Sequence, residues 1–350
     1  MKKLLNTLFP ICRSITGKGF LDSLKIIKKD IPEIKIKSFR SGKKVFDWKI
    51  PQEWNVKDAF IKNDKGKKII DFKKNNLHLV SYSTPVKNKI LSIKELKSRI
   101  HSIPTQPNVI PYITSYYKKY WGFCLDHDSK KKLFKEKNKK FIINIDTRFK
   151  KNGKMNYGEC YIEGKSKKEI LISTYLCHPS MANNELSGPI VWKYLIGYFK
   201  KKINKYSIRF VILPETIGSI AYLSKNHKIL KKNIIGGYVL TCLGDKGGFS
   251  YLNTKDDDTL SNLIVDRYFT KKKITYKKYS YLYRGSDERQ YNSPGIDLPI
   301  GSIMRSKYAT FPEYHTSADN LKFVKPKYLM RSFTVIRDII NEFMSTKIPI

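Results

Sequence analysis

Apolar residues along this chain gather into runs of strand length: EILISTYL (169–176), SIRFVIL (207–213), IGGYVLTCL (235–243) and DLPIGSIM (297–304). Near-continuous apolar runs bounded by turn residues are the pattern of parallel strands covered on both faces. Helix-period segments lie between and after them, including the stretch from Ile190 to Ile196 and a closing amphipathic helix around 326–344. Residues 1–36 also carry the helical period, with Leu4, Leu5, Leu8 and Phe9, then Phe20, Leu21, Leu24 and Ile27 after a break at Gly17-Lys18-Gly19. Between about 37 and 125 the pattern changes to short alternating segments, at 45–50, 68–72 and 77–82, which predict a β-rich module. The expected architecture is α/β: a mixed, mainly parallel sheet flanked by helices, built from 1–36 and 126–350, with a small β-rich inserted domain at 37–125.

At 350 residues the chain is long enough to bury a sizeable core. No apolar stretch reaches the roughly 20 residues of a spanning helix, so no membrane span is expected. The amino terminus has a charged start, but its short apolar part is broken by Asn6 and Thr7, and it reads as the first helix of the fold. Five widely spaced cysteines without a CxxC pair suggest neither a disulfide framework nor a cysteine zinc knuckle, and fit a reducing cytoplasm. The net charge of +39 raises the question of nucleic acid. Its 69 basic residues are 58 Lys and only 11 Arg, spread along the whole chain. Specific phosphate and base recognition leans on the Arg fork, and no nucleic-acid-binding motif is present, so a lysine-rich surface with no specific nucleic-acid partner is expected.

The chemistry sits where the runs end. His178 follows the first strand in Cys177-His178-Pro179-Ser180, and His315 follows the last in Glu313-Tyr314-His315-Thr316. If the two runs lie parallel in one sheet, both imidazoles arrive at its carboxyl edge, where open α/β sheets bind ligands. The other ends carry carboxylates: Glu215 in Pro214-Glu215-Thr216, Asp245 after Gly244, and Asp287 in Gly285-Ser286-Asp287-Glu288-Arg289. Turns favour such residues anyway, but imidazole with carboxylate is also a zinc donor set. A helix is expected to start at Ser187 or Pro189, leaving free N–H groups above the loop that holds Asn184 and Glu185. Cys177, adjacent to His178 on a strand, points to the opposite face and is expected to pack.

Taken in order, His178, the Ala182-Asn183-Asn184-Glu185-Leu186-Ser187-Gly188 loop, Glu215, Ser286-Asp287 and the segment Tyr314 to Asp319 resemble the co-catalytic zinc exopeptidases related to leucyl aminopeptidases and glutaminyl cyclases. More closely, Phe9 to Gly17, Trp121 to Cys124, Cys177 to Ser180, Asp287 to Tyr291 and Glu313 to Leu321 resemble a bacterial aminopeptidase-like family often associated with polysaccharide biosynthesis. The resemblance covers nearly the whole chain. It implies a zinc-exopeptidase-like fold, with a small β domain placed within it, and a zinc cofactor. It makes His178 and His315 metal ligands, with Asn184, Glu185, Glu215, Asp245 and Asp287 as the remaining candidates. Where the active exopeptidases carry a bridging Asp, this chain has Asn184; where they carry adjacent Glu-Glu, it has Glu215 alone.

The expected function is zinc-dependent hydrolysis of an amide bond in a small peptide-like or sugar-derived (amino-sugar) substrate. Glu215 serves as general base, Arg289 and Tyr314 as substrate-binding groups, and the β-rich insertion covers the mouth with basic and aromatic side chains. A homo-oligomer is compatible with this reading. The alternative is a non-catalytic protein of the same fold that binds a glycan or peptide, favoured by the neutral Asn184 and the missing second Glu.

Overall fold

The computed structural model describes residues 1–135 and 139–347. Eight strands form the main sheet: β1 (Lys35–Arg40), β10 (Lys154–Ile162), β12 (Tyr206–Leu213), β11 (Ser166–Tyr175), β13 (Ile234–Leu240), β16 (Ile300–Met304), β14 (Phe249–Leu252) and β15 (Tyr276–Tyr279), in that spatial order. The centre is parallel: β11 pairs with β12 and with β13, and β13 with β16. These are the four apolar runs of the sequence, and Ile170, Leu171, Ile172, Phe210, Val239 and Ile303 within them are fully buried. The edges are antiparallel at β1–β10, β10–β12 and β14–β16, which makes the sheet mixed.

A second sheet has the order β5 (Lys68–Asp71), β4 (Glu53–Lys62), β9 (Lys140–Lys150) and β6 (Val86–Ser92). Two short pairs, β2 (Lys44–Val45) with β3 (Trp48–Lys49) and β7 (Ile100–His101) with β8 (Phe123–Cys124), complete the strands of the described residues. The expected insertion at 37–125 therefore meets the main sheet differently at both ends. β1 begins at Lys35 and pairs with β10 of the main sheet, while the small sheet takes β9 from beyond residue 125. Alternation alone identifies a strand but carries no information about which sheet receives it. One continuous apolar core runs through both sheets, from Leu8 and Phe20 through Ile61 and Ile143 to Ile340.

Helices α1 (Lys2–Leu8) and α2 (Lys18–Lys28) match the two predicted amino-terminal segments, and α2 buries Phe20, Leu24 and Ile27. Short α3 (Ile93–Leu96) and α4 (His127–Phe134) lie in the part of the chain that builds the small sheet. Helices α5 (Ser187–Phe199), α6 (Ile217–Asn233), α7 (Leu260–Lys271) and α8 (Glu288–Tyr291) connect the main strands, and α9 (Pro326–Ser345) closes the chain against α5 and α7. Helix α5 begins at Ser187, one of the two predicted starts, and its first turn presses onto the sheet. A Cβ on Gly188 would stand 2.3 Å from the Leu240 carbonyl oxygen and 2.5 Å from Thr174 Oγ1.

Gly188→Ala is therefore expected to force α5 away from β11 and β13 and to destabilise the protein by about 1–3 kcal/mol. In the same helix a Cβ at Gly197 meets nothing within 4 Å, so Gly197→Ala is expected to be neutral or stabilising by up to ~1 kcal/mol. Urea unfolding midpoints of the two variants check the contrast.

Candidate metal centre at the carboxyl edge

Because β11, β13 and β16 are parallel, the loops that follow them open on one edge of the sheet, and both predicted histidines lie there. His178 follows β11 and is buried, 5 % exposed. Its backbone carbonyl accepts from Nε and Nη2 of the fully buried Arg13, at 3.2 and 2.9 Å, so the segment after α1 fixes the height of the loop. Its Nδ1 lies 2.5 Å from Glu185 Oε2, and its Nε2 faces Glu215 Oε2 at 3.5 Å. A carboxylate on Nδ1 selects the tautomer whose Nε2 lone pair is free for a ligand. The His315 ring stands 5.1 Å away, centroid to centroid, with its Nε2 3.1 Å from Asn184 Oδ1. Tyr314 stacks on His315 at 3.8 Å.

The segment 182–186 is one tight turn of π type that runs straight into α5. The carboxylate of Asp319 holds it, accepting from the N–H groups of Ala182, Asn183 and Asn184 at 3.2, 2.6 and 2.8 Å. The free N–H groups predicted at this helix start thus have a partner in the chain itself. Four non-glycine residues of the edge have left-handed backbone, Ser180, Thr216, Cys242 and His315, with φ between 47° and 63°. Such conformations cost on the order of 1–3 kcal/mol each and concentrate at functional sites.

The remaining candidates divide. Glu215 accepts a short hydrogen bond from Ser286 Oγ on Oε1 and presents Oε2 to His178. Asp287 Oδ1 accepts from the Thr216 N–H and from Ser219 Oγ, at 2.7 and 2.9 Å. Asp245 is engaged by Asn183 Nδ2, Ser306 Oγ and the Gly247 N–H, at 2.9, 2.7 and 2.7 Å, and contacts neither histidine. Arg289 is exposed and makes no ion pair with Asp287. Three further side chains shape the site, of which Tyr112 and Tyr175 carried no functional signal in the sequence. Tyr112 sets its ring edge-on to both His178 and His315, at 5.0 and 5.3 Å. Tyr175 accepts from Asn184 Nδ2 at 2.9 Å, and Glu288 gathers the N–H groups of Gly285 and Ser286 with Tyr308 Oη and Ser302 Oγ. Pro107 and Pro111 mark 107–114 as extended chain, but nothing in that segment announces that Tyr112 reaches the histidines.

The electrostatics are those of too many carboxylates in too little water. Burial raises the Glu215 pKa, against the pull of His178, with Glu185 and Glu288 adding to the rise. Burial and the neighbouring Glu215 push Asp287 up to about 8. Glu185 Oε1 and Asp287 Oδ2 are buried with no hydrogen-bond partner. Burial alone would lower the His178 pKa, but Cys177 and the Glu185 carboxylate outweigh it and raise it well above the usual imidazole range. His315, buried beside His178, falls to about 2 and stays a neutral imidazole.

This crowding is where a divalent cation fits, and the donors decide how many. His178 Nε2 and His315 Nε2 are donors of the type that hold one zinc ion, and Glu215 Oε2, 3.5 Å from His178 Nε2, stands beside them as a carboxylate able to take a proton. A co-catalytic pair needs a shared anion between the metals; Asn184 is neutral, Asp245 is engaged by Asn183, Ser306 and Gly247, and Glu185 spends Oε2 on His178 Nδ1. Among the described residues, the group whose donor atoms lie mutually within 4.8 Å is Cys177, His178 and Glu185. His178 meets both of those partners through Nδ1, and burial pushes the Cys177 thiol up to about 12, so that trio holds a proton rather than a metal.

A family profile described as a domain of unknown function (DUF4910) matches residues 2–345. A Clostridium acetobutylicum protein named as a polysaccharide biosynthesis protein with an aminopeptidase-like domain is 46% identical over 337 residues, covering 96% of this chain and 76% of the relative. A crystal structure of a peptidase-like protein from the same organism superposes with a TM-score of 0.94 at 45% identity, covering 99% of this chain and 80% of that one. A zinc aminopeptidase from Bacillus subtilis gives a TM-score of 0.71 at 13% identity, covering 99% of this chain and 95% of that chain, which shows the shared fold.

Asp319→Asn leaves one oxygen where two serve three N–H groups and removes the charge. It is expected to cost about 3 kcal/mol of stability, read as a lower thermal midpoint, with faster amide exchange at 182–184 than in α5.

Proposed function

The chain belongs to the family described as a domain of unknown function (DUF4910), and we propose that it is a single-zinc hydrolase of aminopeptidase architecture that cleaves an amide bond in a peptide-like or amino-sugar substrate. The observation that carries this reading is the approach of His178 Nε2 to Glu215 Oε2 at 3.5 Å with the His315 ring 5.1 Å from that of His178. Two imidazoles and a half-buried carboxylate with a raised pKa face one space at the carboxyl edge of a parallel sheet. The aminopeptidase-like relative and the zinc aminopeptidase of the same fold support it.

In this reading His178 and His315 hold the metal through Nε2, with Glu185 orienting His178 from behind and the stacked Tyr314 orienting His315. When bound, zinc supplies Lewis acidity toward the amide carbonyl and lowers the pKa of water. Glu215 Oε2 accepts a proton from the attacking water and returns it to the leaving amine, while Ser286 Oγ, bonded to Oε1, fixes the carboxyl plane. Tyr112 and Tyr314 narrow the mouth and exclude bulk water. On this proposal the protein works in the polysaccharide biosynthesis that its relative is named for, in the cytoplasm, where its five free cysteines stay reduced. Among the described residues no helix is long and apolar enough to cross a membrane.

The second reading, a protein of the same fold that binds a glycan or peptide without cleaving it, is favoured by the neutral Asn184 at the centre of the site. Metal content separates the two. Zinc-loaded wild-type protein is expected to retain about one zinc per chain by elemental analysis, and His178→Ala and His315→Ala to lose it. Wild-type protein that never approaches stoichiometric metal leaves only the binding reading.

Glu215→Gln keeps the shape but cannot accept the water proton. On a panel of aminoacyl-p-nitroanilides and N-acylated amino sugars, turnover is expected to fall about 10²–10⁴-fold with zinc content unchanged. Loss of zinc instead would make Glu215 a ligand, and unaltered turnover would remove it from the mechanism.

A further inference from the structure

Arg305, the residue after β16, is 3 % exposed, and its guanidinium has no hydrogen-bond acceptor among the described residues; Nε and Nη1 are both buried without a partner. Guanidinium cannot shed its proton in a protein, so burial leaves a fixed charge that must be answered. Its flat faces are answered: the group lies 4.8 Å from the ring centroids of both Phe249 and Tyr328. Its N–H edge is not. The neighbouring carboxylate, Asp245, is already taken by Asn183, Ser306 and Gly247 and forms no ion pair with it. A second guanidinium makes the imbalance worse. Arg331, exposed on α9, stands 5.9 Å from the same Phe249 ring, so two like charges gather at one aromatic side chain.

A pair of cations with an unused planar donor edge is the complement of an oxyanion, which accepts two parallel N–H bonds from such a fork. We propose that Arg305 and Arg331 form a binding site for a phosphate or carboxylate group, held between β14, β16 and the first turns of α9. The anion enters beside the exposed Arg331 and completes the edge of Arg305. The site is separate from the histidine pair but opens on the same edge of the sheet: the Arg305 N–H donates to the Cys242 carbonyl, and Cys242 Sγ lies 3.6 Å from Asn184 Nδ2. It does not depend on the hydrolase reading.

The test titrates the full chain with inorganic phosphate, and separately with acetate, at constant ionic strength near 0.15 M, so that general screening of this basic protein is held fixed. The thermal midpoint and isothermal titration calorimetry are read together. Wild-type protein is expected to show saturable binding that Arg331→Gln weakens at least tenfold, while Lys65→Gln, which removes the same charge from an exposed turn, leaves it unchanged. Saturation by phosphate alone assigns a phosphomonoester-type ligand, and saturation by acetate as well a carboxylate; both support the site. Arg305→Met is expected to fold, to lose binding, and to be no less stable than wild type in chloride, since an unanswered buried charge has been removed. Absence of saturation by either anion, equal binding in Arg331→Gln, or marked destabilisation of Arg305→Met in chloride would overturn the proposal and leave Arg305 a packing residue.

Discussion

The carboxylate of Asp319 is the joint on which the edge of this sheet is assembled. It sits four residues beyond His315 and accepts the three N–H groups of 182–184, directly before α5. One side chain thereby sets the loop of His178, the turn that carries Asn184 and Glu185, and the loop of His315 in a single frame. Without that carboxylate, the buried N–H groups of Asn183 and Asn184 would be orphaned ahead of α5, each costing about 1–3 kcal/mol, while the Ala182 N–H would keep the Asp319 backbone carbonyl at 3.1 Å. The strained backbone at Ser180, Thr216, Cys242 and His315 is tolerable because the frame around it is over-determined. Arg13 does the same from outside, gripping the His178 carbonyl with two donors.

Around that frame the charge is unbalanced in a patterned way. Carboxylates crowd one end of the edge, at Glu185, Glu215, Asp287 and Glu288, while guanidinium groups crowd the other, at Arg305 and Arg331. Asp245, the carboxylate whose charge Arg305 feels, does not neutralise it, because its oxygens are engaged by neutral donors. A folded core that keeps unanswered charge of both signs within one edge is arranged for ligands rather than for stability. The first end suits a divalent cation and the second an oxyanion.

Much of this was legible in the sequence because it depends on local pattern. The four apolar runs are four main-sheet strands, α5 starts at Ser187, and α9 spans the predicted closing helix, since burial on both faces and helical period both leave their mark in composition. His178 and His315 could be placed together from strand ends alone. The membership of strands in sheets could not: β1 and β9 alternate like the rest of the β-rich stretch, yet one joins the main sheet and the other the small one. Nor could the partners of polar side chains. Asp245 and Asp287 have the same residue type and strand-end position as a ligand, and only the structure shows their oxygens turned toward Ser306 and Thr216. Tyr112 lay hidden for the opposite reason, as an aromatic residue in an irregular segment with no periodicity to read.

That segment gives the edge a folding history. Residues 110–112 are stitched to 315–317 by the Tyr112 N–H on the His315 carbonyl, the Ile110 N–H on Ser317 Oγ at a separation of 207 residues, and a bridge between Pro111 and Thr316. Contacts so distant in sequence close a very long loop, whose entropy must be met before they return any stabilisation. The mouth is therefore among the last parts of the molecule to form. During synthesis, a chain that has already built the amino-terminal strands of both sheets has no assembled site until residue 319 emerges, because Asp319 holds the 182–184 turn that carries Asn184.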